Sequence, residues 1–298
     1  MKGLIVINGY PSGEKFIRQA ERISTELNAL GVETEILRNG EVFALLRANG
    51  SLVIYPEKKY DFAVYLDKDK YLGNLLERTG LRLFNSARAV ELCDDKMLTY
   101  LMLSKARVPI VDSIPAPLCY TQNARVDEVF LGKVAKTLGY PLVVKKSYGS
   151  FGAGVALARD KQELFALSQA FLHEPHFYQR YCKEAAGRDI RVLVVGGKVV
   201  AAMERLAKAG EFRSNIELGG EGRNVVLSQD CIATAQAAAN ALGLDYCGVD
   251  LLQTAAGAVV CEVNSNAFFE GLESTTGVNV AAAYAGYIFD EIRKGKCR

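Results

Sequence analysis

The sequence predicts an α/β protein: a small parallel-sheet lobe comes first and mixed α+β lobes follow. Three observations carry that reading. In roughly the first ninety residues, short apolar runs alternate with helical patterns, as in strands joined by crossover helices. Beyond residue 94 the rhythm changes to hairpin and glycine-rich turn signals. Half of the 298 residues are hydrophobic and 23% are charged, which suits a folded chain of two domains or one multi-lobed unit.

In order along the chain, GLIVIN (3–8) reads as a buried strand and 13–30 as an amphipathic helix stopped at Gly31. VETEIL (32–37) and DFAVYL (61–66) read as strands, and 68–79 as a charged helix. Asp94 or Asp95 is suited to cap a helix running to Arg107, before Pro109. IVDSIP (110–115) is a strand, 125–138 a helix, PLVVKK (141–146) a strand, and SYGSFGAG (147–154) a glycine-rich loop. VALA (155–158), a helix at 160–173 and the strand FYQRYC (177–182) follow. A hairpin turns at Gly196-Gly197, a polar loop covers 206–224 and a helix covers 229–242. Two strands, YCGVDLLQ (246–253) and AVVCEVNSN (258–266), precede a terminal helix at 278–292. The expected lobes are 1–93, 94–180 and 181–298.

Composition excludes several function classes. A net charge of +2 is too weak a field for a nucleic-acid or membrane-surface partner. The seven cysteines form no CxxC pair, so free thiols in a reducing, cytoplasmic setting are expected rather than a zinc site. The N-terminal apolar run is shorter than a signal peptide or membrane span requires.

The chemistry concentrates near the C-terminus. Glu262 and Asn264 stand two apart on one strand and so share a face, and a neighbouring antiparallel strand can bring Asp250 beside them. Two carboxylates and an amide oxygen suit magnesium, although each residue alone equally reads as a polar position on a solvated strand. Gly149, Gly152 and Gly154 allow the 147–154 loop to close over phosphates, or simply to turn a hairpin. Lys145 ends an apolar strand, where a buried ammonium calls for an anion. Arginines 188, 191, 205 and 213 bracket the hairpin, with Asn215 two residues beyond Arg213. His173 and His176 read as structural.

Taken together, CDDKMLTYLMLSKARVP, PLVVKKSYGSFGAG, AKAGEFRSNIELGGEG, GVDLLQ and CEVNSNAFFEGLESTTGVNVA resemble the RimK-type ATP-grasp ligases over residues 85–290. The resemblance implies an ATP-grasp fold, with ATP held between the central and C-terminal lobes. It implies that Lys96 and Lys145 contact nucleotide phosphates. Arg180 and Tyr181 lie where backbone reads adenine, with Gln179-Arg180 where relatives often have Gln-Glu. Asp189, Arg213, Ser214 and Asn215 match nucleotide contacts, and Asp250, Glu262 and Asn264 match the ligands of Mg2+ or Mn2+.

The implied reaction activates a carboxylate with ATP as an acyl phosphate and passes the acyl group to an amine, with Arg191 and Arg213 as catalytic candidates. The expected partners are a glutamate-like amino acid and an acceptor carboxylate on a protein, peptide or small molecule, and the expected assembly is a homo-oligomer. A ligase for a carrier-bound amino acid, or a regulatory nucleotide binder without turnover, are the alternatives. The chain departs from the ribosomal-protein modifiers at Phe268-Phe269, which either line the acceptor site or plug the core.

Overall fold

The structure, a computed structural model, describes residues 1–10, 13–150, 152–208, 211, 213–214 and 219–296. The chain begins with β1 (Lys2–Ile7), α1 (Lys15–Ala29) and β2 (Glu33–Arg38). A hairpin of β3 (Phe43–Leu46) and β4 (Leu52–Tyr55) comes next, then β5 (Phe62–Leu66), α2 (Lys70–Glu77), β6 (Arg82–Phe84) and α3 (Ala87–Asp94). The first sheet has the order β2-β1-β5-β6 and is parallel throughout. β1 and β5 are almost wholly buried, which explains why they read as unbroken apolar runs. The chain crosses from one side of β1 to the other between β2 and β5. The carboxyl ends of β1 and β5 therefore diverge into a crevice, with Asn8 and Asp67 at its lip.

Next come α4 (Lys96–Lys105), β7 (Ser113–Pro115), α5 (Glu128–Leu138), β8 (Leu142–Lys146), β9 (Val155–Ala158), α6 (Lys161–Ala170) and β10 (His176–Arg180). Their antiparallel sheet has the order β7-β10-β8-β9 and packs on α5 and α6. Asp95 caps α4 by accepting from the Met97 and Leu98 amides at 2.9 and 3.1 Å. That cap fixes Lys96 as the first helical residue.

The last sheet is built from β11 (Arg188–Val195), β12 (Lys198–Leu206), β13 (Glu221–Asn224), β14 (Tyr246–Thr254) and β15 (Gly257–Asn264), in the order β13-β12-β11-β14-β15. α7 (Gln229–Leu242) covers one face, while α8 (Glu270–Thr276) and α9 (Val280–Lys296) follow the sheet in sequence. Strand alternation splits β11 cleanly. Ile190, Val192 and Val194 join the core under α7, whereas Leu193 and Val195 join a core shared with the first sheet, α1 and α9. Asp189 and Arg191 continue that second face beyond the apolar zone. Among the described residues, no helix is long and apolar enough to cross a membrane.

The hairpin β3–β4, the short strands β6 and β13, and helices α3 and α8 were not expected from the sequence. β6 and β13 are three and four residues long. Too short for a periodicity to show, they are set by pairing to their neighbours.

Candidate active site

The β11–β14–β15 register places Arg191, Asp250 and Glu262 side by side across three antiparallel strands. Asn264 lies opposite Gly248, one step along the same face. The face expected from the spacing of Glu262 and Asn264 therefore exists, with Asp250 on it.

What surrounds Asp250 was not expected. Its carboxylate receives Arg191 Nε at 2.6 Å and Arg191 Nη2 at 2.6 Å, and Arg205 Nη2 lies 2.8 Å away. Arg205 also grips Asp189 through two bonds, at 2.7 and 2.6 Å. Asp250 and Arg205 are each 3% exposed. Burial alone would raise the Asp250 carboxyl, but Arg191 and Arg205 outweigh it and hold the group below its ordinary value. Asp250 and Asp189 in turn hold the Arg205 guanidinium charged against the cost of burial. Arg205 is thus the hub of the cluster, a role that its place in the sequence, one of four bracketing arginines, did not distinguish.

Two cavities meet at this face. The smaller, of about 100 Å3, lies between β8, β10 and the last sheet, and is lined by Lys145, Arg180, Tyr181, Asp189, Arg213, Ser214, Asp250 and Glu262 among others. Lys145 is 7% exposed, and among the described residues its ammonium hydrogen-bonds the Cys261 thiol at 3.6 Å and pairs with no carboxylate. Burial pushes that thiol up to about 11, so it is neutral and no nucleophile at ordinary pH. Cys261 reaches this cavity because β15 shifts register against β14 between Asp250 and Leu251, a bulge that no sequence pattern announces. The Arg180 side chain bonds Asp112 and the carbonyls of Thr137 and Leu138, tying β10 to the end of α5.

The larger cavity, of about 260 Å3, takes Lys96 from α4, Gly149 from the glycine-rich loop, and Arg191, Arg205, Glu262 and Asn264 from the last sheet. Asn8, Tyr10, Asp67 and Lys68 join it from the crevice of the first sheet. These first-lobe residues were not expected, because their spacing carries no motif and only the strand order gathers them. Glu262 and Arg205 line both cavities.

The glycine-rich loop closes over the junction. Gly149, Gly152 and Gly154 all adopt positive φ. Lys96 Nζ donates to the Gly149 carbonyl at 2.6 Å, Arg213 Nη1 to the Gly152 carbonyl at 3.0 Å, and Lys68 Nζ to Ser150 Oγ at 3.3 Å. Arg213 also pairs with Glu211 at 2.8 Å. Asn215 lies outside the described residues. His176 sits between the Glu174 carbonyl and the Tyr178 hydroxyl and lines neither cavity.

The donor set suits a hard cation. A carboxylate has about four lone-pair sites, and the arginines take one on Asp250 Oδ1 and two on Oδ2, which leaves Oδ1 with a site to offer. Among the described residues Glu262 pairs only with Lys96, 3.5 Å away. Among the described residues the buried Asn264 Nδ2 has no hydrogen-bond partner, and a half-turn of the amide presents its oxygen at the same point. Among the described residues, no cluster of three or more His, Cys, Asp or Glu is gathered here or elsewhere, so the set rests on two carboxylates and the Asn264 amide.

Comparison with known proteins follows this geometry. The family model of the RimK-like ATP-grasp domain matches residues 93–288. A β-citrylglutamate synthase B from Danio rerio is 38% identical over 227 residues, 76% of this chain and 55% of that protein. A probable α-L-glutamate ligase from Thioalkalivibrio sulfidiphilus is 38% identical over 221 residues, 73% of this chain and 70% of that protein. The chain thus spans between half and two thirds of the length of the first curated relatives it matches. In three dimensions it resembles the ATP complex of D-alanine–D-alanine ligase from Bacillus anthracis, with a TM-score of 0.71 at 19% identity, covering 99% of this chain and 96% of the other. The fold is that of the ATP-grasp enzymes, and the chain belongs to the RimK-like ATP-grasp family.

Proposed function

We propose that this protein is an ATP-dependent carboxylate–amine ligase that joins glutamate, or a similar amino acid, to an acceptor acid through an acyl phosphate. The observation that carries this reading is the pair of cavities sharing Glu262 and Arg205 as a common wall, one of them holding a buried Lys145 that, among the described residues, has no carboxylate partner. A buried ammonium of that kind favours an anionic occupant. Family membership supports a nucleotide there, and the relatives named as glutamate ligases and a citrylglutamate synthase support glutamate as the amine.

On this reading the segments 1–93, 94–180 and 181–298 act as three lobes around the site. ATP occupies the smaller cavity, its adenine beside Arg180 and Tyr181 and its ribose toward Asp189. Lys96, Lys145, Arg213 and Ser214 face the phosphates. Asp250, Glu262 and Asn264 would hold Mg2+ or Mn2+, which supplies charge neutralisation at the transferring phosphoryl group. An acceptor carboxylate oxygen attacks the γ-phosphorus and ADP leaves. The amine nitrogen then attacks the acyl carbon, inorganic phosphate departs, and the nitrogen gives up a proton. Arg191, pinned by Asp250, presents its guanidinium to the carboxylate in the larger cavity. The loop at 147–154 shuts out the water that would hydrolyse the acyl phosphate.

The test is ADP release with glutamate, magnesium and a panel of free acids, comparing the wild type with Glu262→Gln. Among the described residues Glu262 makes one long ion pair, so the substitution leaves folding nearly intact while lowering turnover at least a hundredfold. Wild-type turnover in a folded Glu262→Gln protein would remove Glu262 from the metal set and this mechanism with it.

A further inference from the structure

The two adjacent phenylalanines that the sequence left ambiguous take opposite fates. Phe269 is 2% exposed and belongs to the core with Leu272 and Tyr284. Phe268 is half-buried and lines the larger cavity. It also lines a second, outer groove of about 360 Å3 along α1, flanked by Lys15, Arg18 and Arg22. One side chain thus separates the inner cavity from an outer channel.

The wall is built from both ends of the chain. Phe16 of α1 meets Phe268 edge to face, with ring centroids 4.9 Å apart, and the Lys15 ammonium stands 4.7 Å from the Phe268 centroid. Aromatic and cation–π contacts of this geometry hold a ring in one orientation. The segment leading to Phe268 is equally fixed. Asn266 Nδ2 donates to the Leu66 carbonyl at 2.7 Å, and the Ala267 carbonyl accepts from Gln19 at 3.0 Å and from the Tyr246 hydroxyl at 2.5 Å. The ring is therefore a fixed partition.

We infer that the Phe16–Phe268 pair sets the length of the acceptor, so that this enzyme acylates from a short free acid and rejects the end of a polypeptide. The inference rests on the ligase reading above and adds the acceptor class to it. An acid that fits the inner cavity reaches Arg191 and Glu262 with the partition closed. A longer acceptor has its distal part where the two rings stand. Removing either ring joins the cavity to the groove along Lys15, Arg18 and Arg22, whose open, charged walls can house an extended chain.

The experiment compares two acceptors with the same reacting end, N-acetylaspartate and the acetylated peptide Ala-Ala-Ala-Asp, each with ATP, magnesium and glutamate. Initial rates of ADP release and the product masses give kcat/KM for each. In the wild type the short acid should exceed the peptide at least tenfold. In both Phe268→Ala and Phe16→Ala the peptide-to-acid ratio should rise tenfold or more. The Phe16 variant acts from α1, away from the strand that carries Glu262, and a melting curve for each variant identifies any loss of fold. A wild type that uses both acceptors equally, or a ratio unchanged in the folded variants, overturns the length limit while leaving the ligase standing. If no acceptor, short or long, produces ADP with the wild type, it is the ligase reading that fails.

Discussion

Asp250 shows how one carboxylate is made to serve two purposes. Buried and facing two guanidinium groups, it anchors the hub formed by Arg205 and Asp189 while keeping one oxygen site open. From the sequence, Asp250→Asn and Glu262→Gln are expected to behave alike, silencing the enzyme and sparing the fold. The structure separates them. An amide at position 250 cannot balance the charge of Arg205, and stranding one member of a buried pair costs about 3–5 kcal/mol. The Asn oxygen still accepts a bond, so Asp250→Asn should lose roughly 3 kcal/mol at neutral pH, measured by urea denaturation. The sign with pH follows from the depressed carboxyl. In acid the unfolded chain takes up this proton first, so the stabilisation is present above the ordinary value of 3.8 and is lost as pH falls through the lower folded value. The gap between wild type and variant should therefore narrow below about pH 4. A gap that is constant with pH would mean that the arginines do not depend on this charge.

At the scale of elements, the β14–β15 pair positions the site through close approach. Gly248 sits opposite Asn264, and a Cβ built there comes 2.7 Å from the Ala267 Cβ, closer than side chains tolerate. Gly248→Ala should cost about 1–3 kcal/mol by overpacking and should displace Arg191, whose Cδ lies 3.5 Å away. Gly132, exposed in the middle of α5 with nothing near its Cβ position, is the control. Gly132→Ala should stabilise by about 0.5–1 kcal/mol, as a helix interior gains from losing glycine. Thermal melts of the two variants should move in opposite directions, and a shift of the same sign in both would refute the steric account. The same element shows what the sequence reveals and what it hides. Side-chain period places Glu262 and Asn264 on one face with a neighbouring strand to bring Asp250, and capping chemistry starts α4 at Asp94 or Asp95, of which Asp95 is the cap. The bulge that brings Cys261 to Lys145 is invisible, because one extra residue leaves the composition of the strand unchanged. The β3–β4 hairpin is hidden for another reason. Phe43 and Leu46 remain 49% and 56% exposed, so its apolar residues follow no buried face.

At the scale of the whole molecule, the first-sheet lobe is joined to the last sheet by polar as well as apolar contacts. One core runs from Ile5, Val64 and Phe84 through Leu193 and Tyr246 to Tyr284 and Ile288. At its edge stands Asn85, 1% exposed, directly after β6. Its Nδ2 donates to the carbonyls of Tyr246 and Ser265, both at 2.8 Å, and its Oδ1 accepts from the Asp245 and Tyr246 amides at 2.6 and 3.0 Å. Arg82, three residues earlier, grips the Asp245 carboxylate at 2.7 and 2.9 Å, and Tyr287 of α9 donates to it at 2.6 Å. The crevice that supplies Asn8 and Asp67 is thus held in place over Asn264 by a knot of buried hydrogen bonds at residues 82–85, 245–246 and 265. Such an arrangement should unfold as one unit, since neither lobe can leave without exposing the shared core. Asn85→Ala strands two carbonyls and two amides, each worth about 1–3 kcal/mol when buried without a partner, although a water entering the vacated space can recover part of this. The variant should lose at least about 3 kcal/mol and, by circular dichroism in urea, broaden or split the single transition of the wild type. The larger cavity should loosen as well, so with ATP in the smaller cavity, as proposed, the variant's KM for the acceptor should rise more than its KM for ATP, since among the described residues none of residues 1–93 lines that smaller cavity. A sharp transition within 1 kcal/mol of wild type would mean that the apolar core alone unites the lobes, and that Asn85 only fills the space between them.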